Sequence, residues 1–194
     1  RLPLLRSIGQ IGATYIVAEG PDGLYLIDQH AAHERVLYER LMESIEKKGT
    51  SQLLLEPQIL DMNTESKMLL REIIPALNTI GFQIEEFGKT AFRIRAVPGQ
   101  LAHVDPASLI YSALEQSEGS EKLLEPEKEK MSISRICKGV AVKGGQVLSK
   151  EEQSELLRDP ESCQNPRTCP HGRPTMIHLS VDLLERQFGR RGSR

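Results

Sequence analysis

From Asp28 to Glu39 the chain reads Asp-Gln-His-Ala-Ala-His-Glu-Arg-Val-Leu-Tyr-Glu, and far along the sequence Cys169 to Pro174 reads Cys-Pro-His-Gly-Arg-Pro. Asp28 and Glu34 offer hard carboxylate oxygens that suit Mn2+ or Mg2+. His30, Cys169 and His171 offer softer nitrogen and sulfur donors that suit Zn2+. Cys137 adds a further thiol, although alone it reads more readily as a small buried hydrophobe. Mixed donors of this kind suggest one zinc ion that orders the site and a second, more weakly held ion for chemistry. The chemistry open to such a site is hydrolysis, because a divalent ion lowers the pKa of an attacking water and neutralises a leaving oxygen.

The elements that must place these groups are legible around them. Gly23 to Ile27 reads as a buried strand, and apolar residues then recur at Leu37, Leu41 and Ile45, the period of a helix. That helix is expected from about Gln29 to about Lys48, with Asp28 as its cap and Gly49 as its stop. His30 and Glu34, four apart, share one face of it. Glu39 points about 140° away from Glu34 and is not expected to share its ion. The plainer reading of this run is an amphipathic helix with a capping Asp and a satisfied His. Pro170 biases Cys169 toward extended backbone, where residues two apart project to one side, so Cys169 and His171 are expected to point together.

The remaining chain supplies a mixed set of elements. Residues 8 to 19 read as an apolar segment followed by a strand from Thr14 to Ala18, and Pro21-Asp22-Gly23 reads as a tight hairpin turn. Ser51 to Pro57 reads either as a short buried strand or as an exposed apolar patch. A helix is expected from Thr64 to Ile80, kinked or broken at Pro75 and stopped by Gly81. Strands follow at 82–87 and 91–97. Asp105-Pro106 opens a helix, 118–130 reads as a solvated connection, and the Cys137 helix is expected to run to Lys143. Ser149 and Glu152 form a capping box. A strand at 176–181 carries His178, read as packed rather than ligating, and a last helix spans 182–189. Cys163 reads as a spectator thiol.

The four segments Asp28 to Glu39, Cys137 to Lys143, Cys169 to Pro174 and Phe188-Gly189-Arg190 together resemble the C-terminal domain of the MutL family of DNA mismatch-repair proteins. The family's endonuclease pattern D-Q-H-A-x-x-E-x-x-x-x-E is filled without a gap. The resemblance implies a homodimer with a latent, metal-dependent DNA-nicking activity, Asp28, His30 and Glu34 in catalysis, and metal ligands drawn from these with Cys137, Cys169 and His171. Members that lack the Asp-Gln-His-Ala pattern do not cut. The resemblance also implies that an ATP-binding N-terminal region and a linker lie outside this chain, and that a mismatch-recognition protein is a partner of the whole protein. Gln52, Leu55 and Pro57 fill a Gln-x-x-Leu-x-Pro pattern resembling the peptide by which repair proteins bind the DNA polymerase sliding clamp. Lys138, Arg173 and Arg190 are candidate phosphate contacts; the alternatives are a structural ion pair for Arg173 and a solvated helix end for the cluster of Arg186, Arg190, Arg191 and Arg194.

Composition bounds these readings. In 194 residues, 39% hydrophobic and 27% charged, there is material for one large or two small globular domains. No apolar run approaches a membrane span, and three cysteines without a secretory signal point to a reducing, cytoplasmic compartment. The net charge of −2 lacks the basic surplus of a domain that grips DNA by itself, so weak, non-sequence-specific contact with double-stranded DNA and recruitment by a partner are expected. Strands and helices intermix without a βαβ rhythm, which gives a mixed α/β (α+β) class. Because ligands from both chain ends must converge, 1–47 with 131–194 is expected as the dimerisation and endonuclease subdomain, and 48–130 as an inserted regulatory one. A different class of function is a non-catalytic, zinc-ordered dimerisation module that links mismatch-repair partners.

Overall fold

The computed structural model describes residues 3–46, 51–114, 125–141 and 145–190. In chain order it contains β1 (Arg6–Ile11), β2 (Tyr15–Gly20), β3 (Gly23–Asp28), α1 (Gln29–Glu46), β4 (Ser51–Asp61), α2 (Thr64–Ile80), β5 (Gln83–Phe87), β6 (Ala91–Pro98), α3 (Pro106–Leu114), α4 (Glu125–Val140), α5 (Lys150–Arg158), β7 (Met176–Ser180) and α6 (Val181–Gln187). Two antiparallel sheets, ordered β1-β2-β3-β7 and β4-β6-β5, give the expected mixed class. By packing, the chain forms two compact units, Arg1–Val36 with Ala141–Arg194, and Leu37–Val140. These borders differ from 47/48 and 130/131: helix α4 packs on α2 and α3 and so groups with the second unit.

In the first unit, β2 and β3 form the expected hairpin, with Gly20 paired to Gly23 across Pro21-Asp22. The start of the segment at 8–19, read as plainly apolar, belongs to a further strand, Arg6–Ile11. Thr14 N–H donates to the Ile11 carbonyl at 3.1 Å, and both central residues of that turn, Gly12 and Ala13, have positive φ, +57° and +48°. This is the pattern of a type I′ turn, whose twist matches that of the strands it joins. Strand β7 adds to β3 with Tyr25 opposite His178, and the two rings stack with centroids 4.4 Å apart. One face of the sheet, Ile16, Ala18, Tyr25 and Ile27, buries against Ala32 of α1 and Leu148, Leu156 and Leu157 of α5 and the segment before it. Helix α5 opens on the Ser149–Glu152 capping box. The opposite face carries Val17, Leu26 and Ile177 in register and Ile11 opposite Tyr15; cross-strand partners share a face.

In the second unit, α2 spans the expected residues, is capped by Asn63 and Gly81, and runs unbroken through Pro75. Asp105 caps α3, accepting from Ser108 N–H at 2.9 Å. Residues 125–130, expected as connection, are the first turns of α4 (Glu125–Val140); the rest of that connection, 118–124, the expected helix end at Lys143 and the expected stop at Gly49 lie outside the described residues. In β4, Gln52 and Leu53 pair with Val97 and Ala96, and pairing resumes at Gln58 with Ile94. Residues 54–57 therefore bulge out opposite Arg95 alone, a place where the missing N–H of Pro57 costs no ladder bond. Leu53 is 69% and Leu55 105% exposed, so of the two readings of this stretch the exposed apolar patch holds and the buried strand does not.

Candidate metal centre

The centre is built where β3 passes into α1. Asp28 ends the strand and caps the helix, its Oδ1 accepting from Ala31 N–H at 3.0 Å, while its own N–H donates to the Thr175 carbonyl at 2.9 Å. Capping of this kind fixes the first turn of the helix. It thereby fixes the bearing of Glu34, which is fully buried.

The partner loop is tighter than the extended segment expected from Pro170. Gly172 N–H donates to the Cys169 carbonyl at 2.9 Å, and Cys169 N–H donates to the Arg173 carbonyl at 2.8 Å. Gly172 has φ +81°, a left-handed conformation that glycine adopts without strain. Thr168 and Pro174 bridge across the base of the loop. Cys169 and His171 thus come together by a closed turn, not by alternation along an extended chain.

Among the described residues, the ligand atoms of Glu34, Cys169 and His171 all lie within 4.8 Å of one another. His171 Nδ1 is 2.7 Å from Glu34 Oε1, and Arg173 Nη2 is 3.9 Å from Oε2. The first separation is within ion-pair distance, yet neither Glu34 oxygen accepts an aligned hydrogen bond. A buried carboxylate without such partners is costly. A cation held between it, a thiolate and an imidazole removes that cost, and sulfur, nitrogen and oxygen donors from three side chains are the make-up of a zinc site with one position open. The Arg173 guanidinium stands at the rim. Its hydrogen bond with Cys169 holds its pKa above the usual value, burial opposes, and the charges of Cys169, Glu34 and Asp28 add to the rise.

The other expected site residues fall as follows. Asp28, at the end of β3, and His30, in the first turn of α1, lie outside the group of three, and Asp28 is close enough for its charge to act on Arg173. Cys137 is buried on α4 in the second unit, with Lys138 beside it half-buried, and Cys137 is outside the group. Glu39 lies further along α1, also outside it. Gln52, Leu55 and Pro57 are exposed in β4. Arg190 is exposed just after α6, its N–H bonded to the Glu185 carbonyl at 2.9 Å; Arg191 and Arg194 lie outside the described residues.

Sequence reading missed what holds this junction. Gln29 is fully buried. Its Nε2 donates to the carbonyls of Ala13 at 2.8 Å and Gln146 at 3.1 Å, and its Oε1 accepts from Gln10. Gln10 in turn bonds the Gln146 carbonyl at 2.9 Å and Leu148 N–H at 3.1 Å. One motif residue thus ties the β1–β2 turn and the segment before α5 to the start of α1. A glutamine in a first helical turn gives no local sign of such distant partners.

A family model described as the MutL C terminal dimerisation domain matches residues 8–148. The chain is 41% identical over 191 residues to the DNA mismatch repair protein MutL of Methanoculleus marisnigri, covering 97% of this chain and 32% of that protein. It is 37% identical over 190 residues to that of Methanothrix thermoacetophila, with 97% and 34% covered. For the protein of Shouchella clausii the figures are 39% over 191 residues, 97% and 29%. The chain spans about a third of the length of the curated relatives it matches.

Proposed function

Because the chain belongs to the family of MutL C-terminal dimerisation domains, we propose that it is the part of a mismatch-repair protein that dimerises and nicks DNA with the help of divalent metal. The observation that carries this reading is Glu34: a fully buried carboxylate with no hydrogen-bond partner, within ligand reach of Cys169 and His171. Glu34, Cys169 and His171 would hold zinc, with His30 a further soft donor on the same helix, and Asp28, on the same junction, would offer a hard oxygen to Mn2+ or Mg2+. A bound divalent ion supplies an activated water and neutralises the leaving oxygen of a phosphodiester. The chain's own part is to present these groups on a capped helix end and to keep Arg173 at the rim, where its charge can meet a phosphate. Among the described residues none stands out as a candidate for base readout, so cutting without sequence preference is expected.

Two further surfaces fit this role. The bulge at 54–57 offers Leu55 as an apolar anchor with Gln52 and Pro57 beside it, a shape suited to the preformed pocket of a sliding clamp. Such tethering would raise local concentration on DNA and offset the net charge of −2. The half-exposed apolar face of the first sheet, Ile11, Tyr15 and Ile177, suits a homodimer contact.

A second reading, a non-catalytic zinc-ordered dimerisation module, is favoured by one point: the three grouped donors would suffice for a zinc ion without Asp28. Nicking of supercoiled plasmid in Mn2+, by wild type and Asp28→Asn side by side, decides between them. Cutting lost in Asp28→Asn supports the nuclease; no cutting by either protein, with zinc bound in both, leaves the module.

A further inference from the structure

We propose that Arg35 is a positioning residue for the metal centre, a role that rests on the zinc reading above. Arg35 follows Glu34 on α1, is only 9% exposed, and donates from Nε to the Thr168 carbonyl at 2.5 Å. Thr168 is the residue before Cys169 and one side of the bridge to Pro174 that closes the loop base. Adjacent residues of α1 therefore provide one donor, Glu34, and the fastening of the loop that provides the other two, Cys169 and His171. A guanidinium is rigid and planar, so an Nε–H bond sets direction as well as distance. It is also costly to bury, and persists only where its donors are used. Arg35 cannot itself ligate a cation. Its place is that of the outer partners that orient metal ligands, whose loss typically costs about 10- to 100-fold in metal affinity.

The test is zinc affinity by competition with a chromophoric chelator, together with the absorption spectrum of the cobalt(II) form, on the whole chain. Arg35→Met keeps the length and apolar stem of the side chain and removes the donor. It is expected to weaken zinc binding about 10- to 100-fold and to shift the cobalt bands, including the thiolate charge-transfer band from Cys169. Arg35→Lys, which keeps charge and a donor but not the planar Nε–H, is expected to fall between Arg35→Met and wild type. A folded Arg35→Met with wild-type affinity and an unchanged cobalt spectrum overturns the proposal. If Arg35→Met does not fold, the same result in Arg35→Lys overturns it. Failure of wild type to bind zinc overturns the metal reading, and this proposal with it; zinc bound equally by wild type and variant overturns this proposal alone.

Discussion

His171 Nδ1 lies 2.7 Å from Oε1 of Glu34, a side chain with no exposed surface and no hydrogen bond to either oxygen. The two come from opposite ends of the chain, one on a helix and one in a closed loop. Their approach defines the centre, and the first two predictions follow from it.

Zinc is expected to copurify with the chain, and Cys169→Ser or His171→Ala to reduce it. Glu34→Met separates the carboxylate's two effects. Without metal, replacing an unbonded buried carboxylate by an apolar side chain is expected to leave the protein as stable or to raise its stability by about 1–3 kcal/mol. With zinc, wild type melts higher because metal binding adds to folding free energy, whereas the variant gains little. Melting curves with zinc and with chelator check both signs; a variant stabilised by zinc as strongly as wild type refutes the ligand assignment.

Asp28→Asn is expected to abolish nicking and leave folding and dimerisation intact. Asp28 caps α1 through Ala31 N–H, and asparagine caps as well as aspartate. Asp28→Ala removes cap and charge together and is expected to cost about 1 kcal/mol besides. Equal nicking by wild type and Asp28→Asn, with matched melting midpoints, would remove Asp28 from the chemistry.

Replacing Gln52 and Leu55 by Ala is expected to abolish stimulation by the sliding clamp while clamp-free nicking in Mn2+ persists. Both side chains are exposed, so stability is expected to stay within about half a kcal/mol of wild type and the melting midpoint to be nearly unchanged. Full stimulation in the double variant would end the clamp reading.

Light scattering at micromolar concentration is expected to report a dimer. Tyr15→Glu and Ile177→Glu, on the outward face of the first sheet and 48% and 59% exposed in the wild type, are expected to yield folded monomers. Dimers of unchanged strength in both would move the interface elsewhere.

Acid stability offers a check on the second unit. The backbone hydrogen bond from Ser108, with further bonds from the Ser108 hydroxyl, Gln58 and Ala107, lowers the Asp105 pKa, against burial. A lowered folded-state pKa means a contribution present above the unfolded value of about 3.9 and lost as pH falls through the folded one. Asp105→Asn keeps the cap without the titration, so its stability is expected to fall less than that of wild type between pH 7 and pH 3. Parallel melting curves of the two proteins over that range would show that the cap charge contributes nothing.

What the sequence determined by itself was local. Asp28, Asp105, the Ser149–Glu152 box and Gly81 announced helix ends because a cap bonds within a few residues, and the 3.6-residue period marked α1 and α2 for the same reason. The donor types at 34, 169 and 171 were legible as chemistry, as was the need for the chain ends to meet. Tertiary structure alone decided which donors converge. It placed Glu34, Cys169 and His171 together and left Asp28 and His30 outside that group and Cys137 in the other unit, because convergence depends on β7 joining β3 and on a loop closing over Gly172. It made 6–11 a strand and 54–57 a bulge, since pairing partners distant in sequence leave no local period. It also gave Gln29 and Arg35 their work: a buried amide or guanidinium is explained by the carbonyls it meets, and those belong to residues 13, 146 and 168, which nothing near positions 29 and 35 could indicate.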